Sequence, residues 1–246
     1  MSLKTVLVPL SGTDRDRHAL RNALAVAGPL GAHVTALLPG GPLSKIIPET
    51  PRTAGLREDA LVLEGRQMLT LRRERARQMF DDAVRETGAI VAERPGAHAG
   101  PAIQLEMRAG DDSEVIQEAA VVHDLILFHR EPGGEGAEPP EIKDALQSSG
   151  RPLLIVPTRM PSTFPGTVVI AWNGSIEGAH ALTAALPLVR HATSVHVLTA
   201  ATSKTDAGQA ERLRGYLAWH EVAAEAHALQ PGTGVVGAAL LAMARD

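Results

Sequence analysis

Two short polar loops carry the residues with the clearest chemical potential in this sequence. Each loop follows a β-branched, apolar segment and precedes a stretch with apolar residues at helical spacing. The six loop residues are Ser11, Gly12 and Thr13, and Asn173, Gly174 and Ser175. A loop that leaves a strand and enters a helix presents free backbone amides at the positive end of the helix. The pattern therefore predicts that these residues bind the phosphate of a cofactor.

The same residue types have a simpler interpretation. Gly12 and Gly174 let the backbone approach a phosphate without an intervening side chain, and Thr13 and Ser175 supply hydroxyl groups. Ser, Thr and Asn are also the preferred residues at a helix N-cap. Helix capping alone is thus the alternative for both loops.

The sequence lacks other reactive arrangements. It has no cysteine, which excludes disulfides, thiol nucleophiles and thiolate-bound metals. Its ten histidines form no His-Glu-x-x-His pattern, and His191 and His196 are interpreted as surface or packing residues. Neither a Gly-x-Ser-x-Gly motif nor a Walker loop occurs. We therefore predict no catalytic residue and no metal site.

Charge and hydropathy limit the partners that the chain can have. The net charge of −4 argues against an extended nucleic-acid surface. No apolar run approaches the roughly 18 residues of a membrane span, and residues 1–4 lead into a strand without the apolar region of a signal peptide. These features predict a cytoplasmic protein with no nucleic-acid or membrane partner.

An internal repeat relates the two halves of the chain. Residues 5–24 and 167–186 align at an offset of 162, with eight identities in twenty positions. A chance match of turn glycines would not also reproduce His-Ala-Leu in register, so we infer a duplication. The predicted domains are unit 1 at residues 1–157, a linker at residues 158–166 and unit 2 at residues 167–246.

Strands alternate with helices in both units, which predicts the α/β class and a parallel sheet with helices on both faces. The predicted strands of unit 1 are residues 5–10, 33–38, 102–107, 124–129 and 153–156. Its helices are predicted at residues 14–27, 57–87, 111–122 and 141–148, with Gly28-Pro29-Leu30-Gly31 closing the first. In unit 2 the predicted strands are residues 167–172, 194–199 and 222–229, and the helices are residues 177–190, 206–219 and 235–244.

Three segments resemble the universal stress protein family. The opening strand and loop occur twice, as Val6-Leu7-Val8-Pro9-Leu10-Ser11-Gly12-Thr13 and Val168-Val169-Ile170-Ala171-Trp172-Asn173-Gly174-Ser175. The closing strand occurs once, as Ser148-Ser149-Gly150-Arg151-Pro152-Leu153-Leu154-Ile155-Val156-Pro157. The resemblance implies two tandem, doubly wound, flavodoxin-like units with strand order 3-2-1-4-5. It also implies an adenine nucleotide, in many members, where that order reverses.

The chain departs from the family at the nucleotide elements. The family usually has an aspartate before the loop glycine, where this chain has Ser11 and Asn173. Nucleotide-binding members place spaced glycines after the fourth strand, whereas unit 1 has His129 there, followed by prolines and acids at residues 138–141. Prolines lack an amide donor, and acids repel phosphate. The resemblance thus implies that ATP or another adenine nucleotide binds through unit 2 only.

The repeat also shows which segments of unit 1 have a counterpart in unit 2. Residues 110–124 align with residues 232–246 at an offset of 122, so residues 125–157 of unit 1 have no counterpart. Unit 2 is therefore expected to lack strands four and five, which hold half of the crevice. We hypothesise that the chain is a truncated product or that another chain completes unit 2.

These features predict a universal-stress-protein-like module for stress response that binds an adenine nucleotide or acts in signalling. Strong catalysis is not expected, and weak ATP hydrolysis is the most that an intact form would show. The expected assembly is a homodimer or an intrachain pairing of the two units. One alternative is a dimerising scaffold that needs no nucleotide. The other is an NAD(P)-dependent oxidoreductase, because Gly232-Thr233-Gly234-Val235-Val236-Gly237 matches a dinucleotide-binding pattern.

Overall fold

The chain folds into two compact units, one of residues 3–160 and the other mainly of residues 161–246. The computed structural model describes residues 2–41, 55–94, 96, 100–130, 140–161, 163–200, 208–230 and 235–244. None of the helices in these ranges combines the length and the apolar character that crossing a bilayer requires.

Unit 1 is built on a parallel sheet of six strands. The strands are β1 (Thr5–Pro9), β2 (His33–Pro39), β3 (Ile90–Val91), β4 (Ala102–Arg108), β5 (Leu125–His129) and β6 (Leu153–Val156). The described helices are α1 (Arg15–Leu30), α2 (Gly55–Thr87), α3 (Asp112–Ala120) and α4 (Pro140–Ser148). The strand order is β3-β4-β2-β1-β5-β6. This order confirms the predicted 3-2-1-4-5 arrangement and adds the two-residue strand β3 at one edge.

The centre of this sheet is covered on both faces, as the continuous apolar runs of its strands indicate. On one face, Leu7 of β1 and Leu37 of β2 belong to a cluster of buried side chains that α3 and α4 complete. The helical members of this cluster are Val115, Ile116, Ala119, Ala120, Ile142 and Ala145. Helices α1 and α2 pack against each other. The packed layers fix the carboxyl ends of β1, β2 and β5, which border the site described below.

An aspartate at the start of β5 ties this strand to β1. The Asp124 Oδ2 atom accepts hydrogen bonds from the Lys4 amide at 2.7 Å, the Thr5 amide at 3.0 Å and the Thr5 hydroxyl at 3.1 Å. Burial by itself would raise the pKa of Asp124, but these donors and the charge of Arg151 outweigh burial and lower it. The carboxylate therefore fixes the register of the two strands between which the sheet order reverses.

Helix α1 is longer than predicted. The sequence indicates an end near residue 27, with residues 28–31 closing the helix, but the helix includes Gly28 and Pro29 and continues to Leu30. Gly31, the last residue of the predicted closing segment, ends it in the left-handed conformation, with φ 57°, and its amide donates to the carbonyls of Ala27 and Gly28. A left-handed glycine satisfies the carbonyl groups that the last turn leaves free, so its position decides where the helix stops.

Unit 2 has a sheet of three parallel strands among its described residues. The strands are β7 (Thr167–Ala171), β8 (Ser194–Ala200) and β9 (Glu225–Leu229), in the order β7-β8-β9. The helices are α5 (Ile176–Val189), α6 (Gly208–Trp219) and α7 (Val236–Met243). This arrangement matches the first three strands predicted for the unit, and the described residues include no counterpart of β5 or β6.

The core of unit 2 lies between its sheet and helices α5 and α6. Val195 and Val197 of β8 are buried there against Leu213 and Leu217 of α6. Helix α5 contributes Leu182, Leu186 and Val189 to the same cluster. By contrast, no side chain of α7 is buried. The stability of unit 2 therefore depends mainly on one layer of helices.

Candidate functional site

A cavity of about 630 Å³ lies at the carboxyl ends of the strands of unit 1. Pro9 of β1, Pro39 of β2 and His129 of β5 all line it. The strand order reverses between β1 and β5, and open α/β sheets bind their ligands in the crevice at such a point. Two of the predicted loop residues, Ser11 and Thr13, also line this cavity.

The loop of unit 1 is occupied by a carboxylate of its own chain. Asp16 Oδ1 accepts hydrogen bonds from the Ser11 amide and the Ser11 hydroxyl, both at 2.9 Å, and Oδ2 accepts one from the Gly12 amide at 2.7 Å. Asp16 is only 3% exposed. The amides that the sequence assigns to a phosphate therefore already bind an anion.

The environment of Asp16 acts on its pKa in two opposing ways. Burial raises the pKa because the ionised carboxyl group loses contact with water. Hydrogen bonds from Ser11, Gly12 and Thr13 stabilise the ionised form and lower the pKa. Burial has the larger effect, so the pKa of Asp16 is above its ordinary value of 3.8.

This raised pKa predicts how the stability of unit 1 depends on pH. Between pH 3.8 and the raised pKa, folded Asp16 binds more protons than unfolded Asp16, so its contribution to the free energy of unfolding falls as pH rises. Asp16→Asn removes the titrating group and should flatten the curve in this window. Urea unfolding between about pH 3.5 and 6.5 measures the difference between the variant and the wild-type chain. Asp14→Asn, at an exposed neighbouring position, is the control. Equal slopes for Asp16→Asn and the wild type would contradict the prediction.

Acidic side chains outnumber basic ones around the cavity. The acidic lining residues are Asp14, Asp16, Asp112 and Glu141, and the arginines are Arg15 and Arg72. Arg72 is already engaged, because its Nη2 lies 3.2 Å from Asp112 Oδ2 and its Nε donates to the Ser11 carbonyl at 2.8 Å. A surplus of negative charge repels a polyphosphate. The cavity therefore suits a neutral or cationic group better than a triphosphate.

The loop of unit 2 has the same backbone shape but different contacts. Gly174 and Gly12 both adopt φ 74°. Asn173 Oδ1 accepts a hydrogen bond from the Ser175 amide at 3.0 Å, and Ser175 Oγ accepts one from the Gly178 amide at 3.1 Å. Ser175 thus caps helix α5, as the simpler interpretation of the sequence states, whereas Asn173 forms a turn with the capping residue.

Unit 2 has no counterpart of the carboxylate that fills the loop of unit 1. The repeat aligns Asp16 with Gly178, which has no side chain. Within the part of the chain that the structure describes, the amides of Asn173 and Gly174 have no hydrogen-bond acceptor. These two amides therefore keep the capacity to bind an anion.

A second cavity, of about 460 Å³, lies beside this loop in unit 2. It is lined by Gly174 and Trp172 and by side chains of α6 that include Gln209, Arg212 and Tyr216. The Gln209 side chain lies over Gly174 as Arg72 lies over Gly12. Asn173 and Ser175 do not line this cavity, so the structure places only one of the three predicted unit 2 residues in it.

Two other loops named from the sequence lie outside the described residues, wholly or in part. Residues 131–139, which follow β5, are outside them, and so are residues 232–234 of the dinucleotide-like pattern. The described end of that pattern, Val235, is the N-cap of α7 and makes no side-chain capping bond. The oxidoreductase alternative stays a prediction.

Comparison with known proteins was made by sequence and by structure. The sequence matches no family profile and no curated protein. A solved universal stress protein from Archaeoglobus fulgidus DSM 4304 aligns over 98% of this chain and 82% of its own length, with 14% identity and a TM-score of 0.62. The chain has the universal stress protein fold.

Other solved structures with this fold align less closely. A putative universal stress protein from Pseudomonas aeruginosa UCBPP-PA14 covers 93% of this chain and 75% of its own length, with 16% identity and a TM-score of 0.48. A universal stress protein in complex with cAMP covers 65% of this chain and 100% of its own, with 17% identity and a TM-score of 0.37.

Sequence reasoning missed two residues that shape the crevice within this fold. The sequence contained a signal for Asp16, because the repeat aligns this acid with a glycine, Gly178, in the second copy. Arg72 had none, because it lies 61 residues from its partner Ser11 and only the packing of α2 brings them together.

Proposed function

We propose that the chain is a member of the universal stress protein family and acts as a stress-response module that binds an adenine nucleotide. The repeated opening motif and the strand order support membership. Binding and signalling, rather than strong catalysis, fit a sequence without a nucleophile motif or a Walker loop.

The nucleotide is assigned to unit 2, at Asn173, Gly174 and Ser175. The observation that carries this assignment is the difference between the two loops. Asp16 fills the loop of unit 1, whereas Gly178 leaves the aligned amides of unit 2 without a carboxylate. A phosphate bound there would also lie at the N-terminus of α5, whose dipole favours negative charge.

Introducing the unit 1 carboxylate into unit 2 tests this proposal. Gly178→Asp places an acid in the first turn of α5, where it is compatible with the helix dipole. The added Cβ meets Ser175 Oγ at 3.3 Å, a tight contact that requires the Ser175 side chain to shift by a few tenths of an ångström. We expect saturable binding of labelled ATP by the full chain and a loss of about 100-fold in affinity in Gly178→Asp, because like charges at one site cost several kcal/mol.

The control for this experiment is Ala181→Asp. It adds the same charge at an exposed position on the same helix, outside the cavity, and should leave the affinity unchanged. Failure of the wild-type chain to bind at millimolar ATP would overturn the proposal, as would equal affinities for the wild type and Gly178→Asp.

The second candidate is a dimerising scaffold that needs no nucleotide. The hydrogen bonds that Asn173 Oδ1 and Ser175 Oγ accept from backbone amides favour it, because they give both side chains a structural role. A chain that fails to bind ATP, yet has the mass of a dimer in light scattering, would support this candidate over the first.

A further inference from the structure

Three side chains with metal-ligating groups meet on the sheet of unit 2. His196 comes from β8, and Glu225 and His227 come from β9. The His196 Nδ1 atom lies 3.2 Å from His227 Nε2 and 3.5 Å from Glu225 Oε2. The remaining distance, from His227 Nε2 to Glu225 Oε2, is 3.7 Å. One ligand atom of each residue therefore lies within 3.7 Å of the other two.

The register of the strands produces this arrangement. His196 is paired directly with Glu225, and Leu198, two residues further along β8, is paired with His227. Side chains two residues apart on a strand share a face of the sheet. All three side chains consequently project from one face, opposite the buried Val195 and Val197.

The three distances fit the edges of a small tetrahedron. Ligand atoms at 2.0–2.1 Å from a tetrahedral zinc ion lie about 3.3–3.4 Å from one another. The observed distances of 3.2, 3.5 and 3.7 Å are within a few tenths of an ångström of that value. Two imidazoles and a carboxylate are also a ligand set that zinc accepts, with a fourth position open to water.

Unit 1 shows that this place in the fold does not require ligating residues. The pairs Val6–Val34 and Val168–Val195 have the same register in the two units, which places Thr35 at the position of His196. By the same comparison, Gln104 and Glu106 of unit 1 occupy the positions of Glu225 and His227 in unit 2. In unit 1 these residues form a hydrogen-bonded group in which Gln104 Nε2 donates to Thr35 Oγ1 at 3.2 Å and to Glu106 Oε1 at 2.9 Å.

The cluster is accessible to an ion from solution. His196 is 29% exposed, His227 is 36% exposed and Glu225 is 72% exposed at the side chain. The chain has no cysteine to compete for the metal. The two imidazole rings lie close together, with their centroids 5.4 Å apart and their planes inclined by 31°.

We propose that His196, Glu225 and His227 form a binding site for a zinc-type divalent transition-metal ion. Bound there, the ion links β8 to β9 through side chains and stabilises the sheet of unit 2. The site is separate from the nucleotide loop and does not depend on nucleotide binding.

The test uses the tag-free full chain, stripped of metal with a chelator and titrated with Co²⁺ alone. We expect one Co²⁺ per chain, the visible absorption of a tetrahedral site and loss of that absorption when Zn²⁺ is added. His227→Gln should weaken Co²⁺ binding by about 100-fold. Removal of a residue that only supports a metal ligand weakens metal binding by about 10- to 100-fold, and His227 is itself a proposed ligand. Glu225→Gln, at a mostly exposed position, should weaken it by about 10-fold.

The matched control is His191→Gln, at an exposed histidine outside the cluster. It should bind Co²⁺ as the wild-type chain does. Zn²⁺ should raise the melting temperature of the wild type and of His191→Gln, and not that of His227→Gln. The proposal is overturned if the wild type shows no saturable binding at micromolar Co²⁺, or if His227→Gln binds one ion with unchanged affinity.

Discussion

Gly12→Ala is expected to destabilise unit 1 by about 3 kcal/mol or more, whereas Gly174→Ala should cost unit 2 only about 1–2 kcal/mol. Both glycines adopt φ 74°, so both substitutions carry the cost of a left-handed residue, about 1–2 kcal/mol. A Cβ at position 12 would also overlap Arg72 Cγ and lie 2.9 Å from the Arg72 backbone carbonyl. Helix α2 must move to accommodate it, and overpacking of this kind costs a further 1–3 kcal/mol or so.

The neighbour of Gly174 is much easier to displace. A Cβ at position 174 would meet the terminal amide of Gln209, which can rotate away without moving α6. The two substitutions thus form a matched pair with the same backbone conformation and different surroundings. Segment-resolved hydrogen exchange at increasing urea concentrations measures the decrease in the free energy of unfolding separately in each unit. Equal losses at the two positions would show that Arg72 does not restrain the loop.

Leu217→Ala is expected to destabilise unit 2 by about 2–5 kcal/mol. Leu217 is 0% exposed and belongs to the cluster between α6 and the sheet. Truncation of a fully buried leucine loses the transfer free energy of its methyl groups and leaves a cavity. In the described part of unit 2, α7 has no buried side chain that could compensate for the lost packing. The layer of α5 and α6 should therefore bear the whole loss of stability.

The aromatic residues of the chain provide a selective readout for this experiment. Both tryptophans, Trp172 and Trp219, lie in unit 2. Trp172 packs against the core cluster, so its fluorescence reports unfolding of unit 2. The control is Leu241→Ala, at a leucine of α7 that is 54% exposed, for which a change within about 0.5 kcal/mol is expected. A loss for Leu217→Ala no larger than for this control would refute the assignment of the core.

The general arrangement of the fold could be predicted from the sequence because it depends on local patterns. Apolar, β-branched runs that alternate with amphipathic stretches indicate a parallel sheet, and the strand order followed from the resemblance. The sequence predicted that residues 28–31 close α1, but not which of them ends it. Gly28 and Pro29 lie within the helix, because the left-handed Gly31 is the residue that satisfies the last carbonyls.

The candidate sites were less predictable, because they depend on contacts between distant segments. The sequence shows Ser11 and Asn173 as polar residues that follow strands. Whether their backbone amides find a hydrogen-bond acceptor depends on the residues at positions 16 and 178. The group of His196, Glu225 and His227 required the register of β8 and β9, which the sequence does not contain. From the sequence, His196 was therefore interpreted only as a surface or packing residue.

The carboxylate of Asp16 has a consequence for what unit 1 can sense. A group that belongs to the chain is present at its loop at a fixed effective concentration, however much soluble anion surrounds it. The Ser11 and Gly12 amides therefore keep their partner when the nucleotide supply of a cell rises or falls. Under the proposed assignment of the nucleotide to unit 2, the loop of unit 1 should keep this conformation whether nucleotide is abundant or scarce.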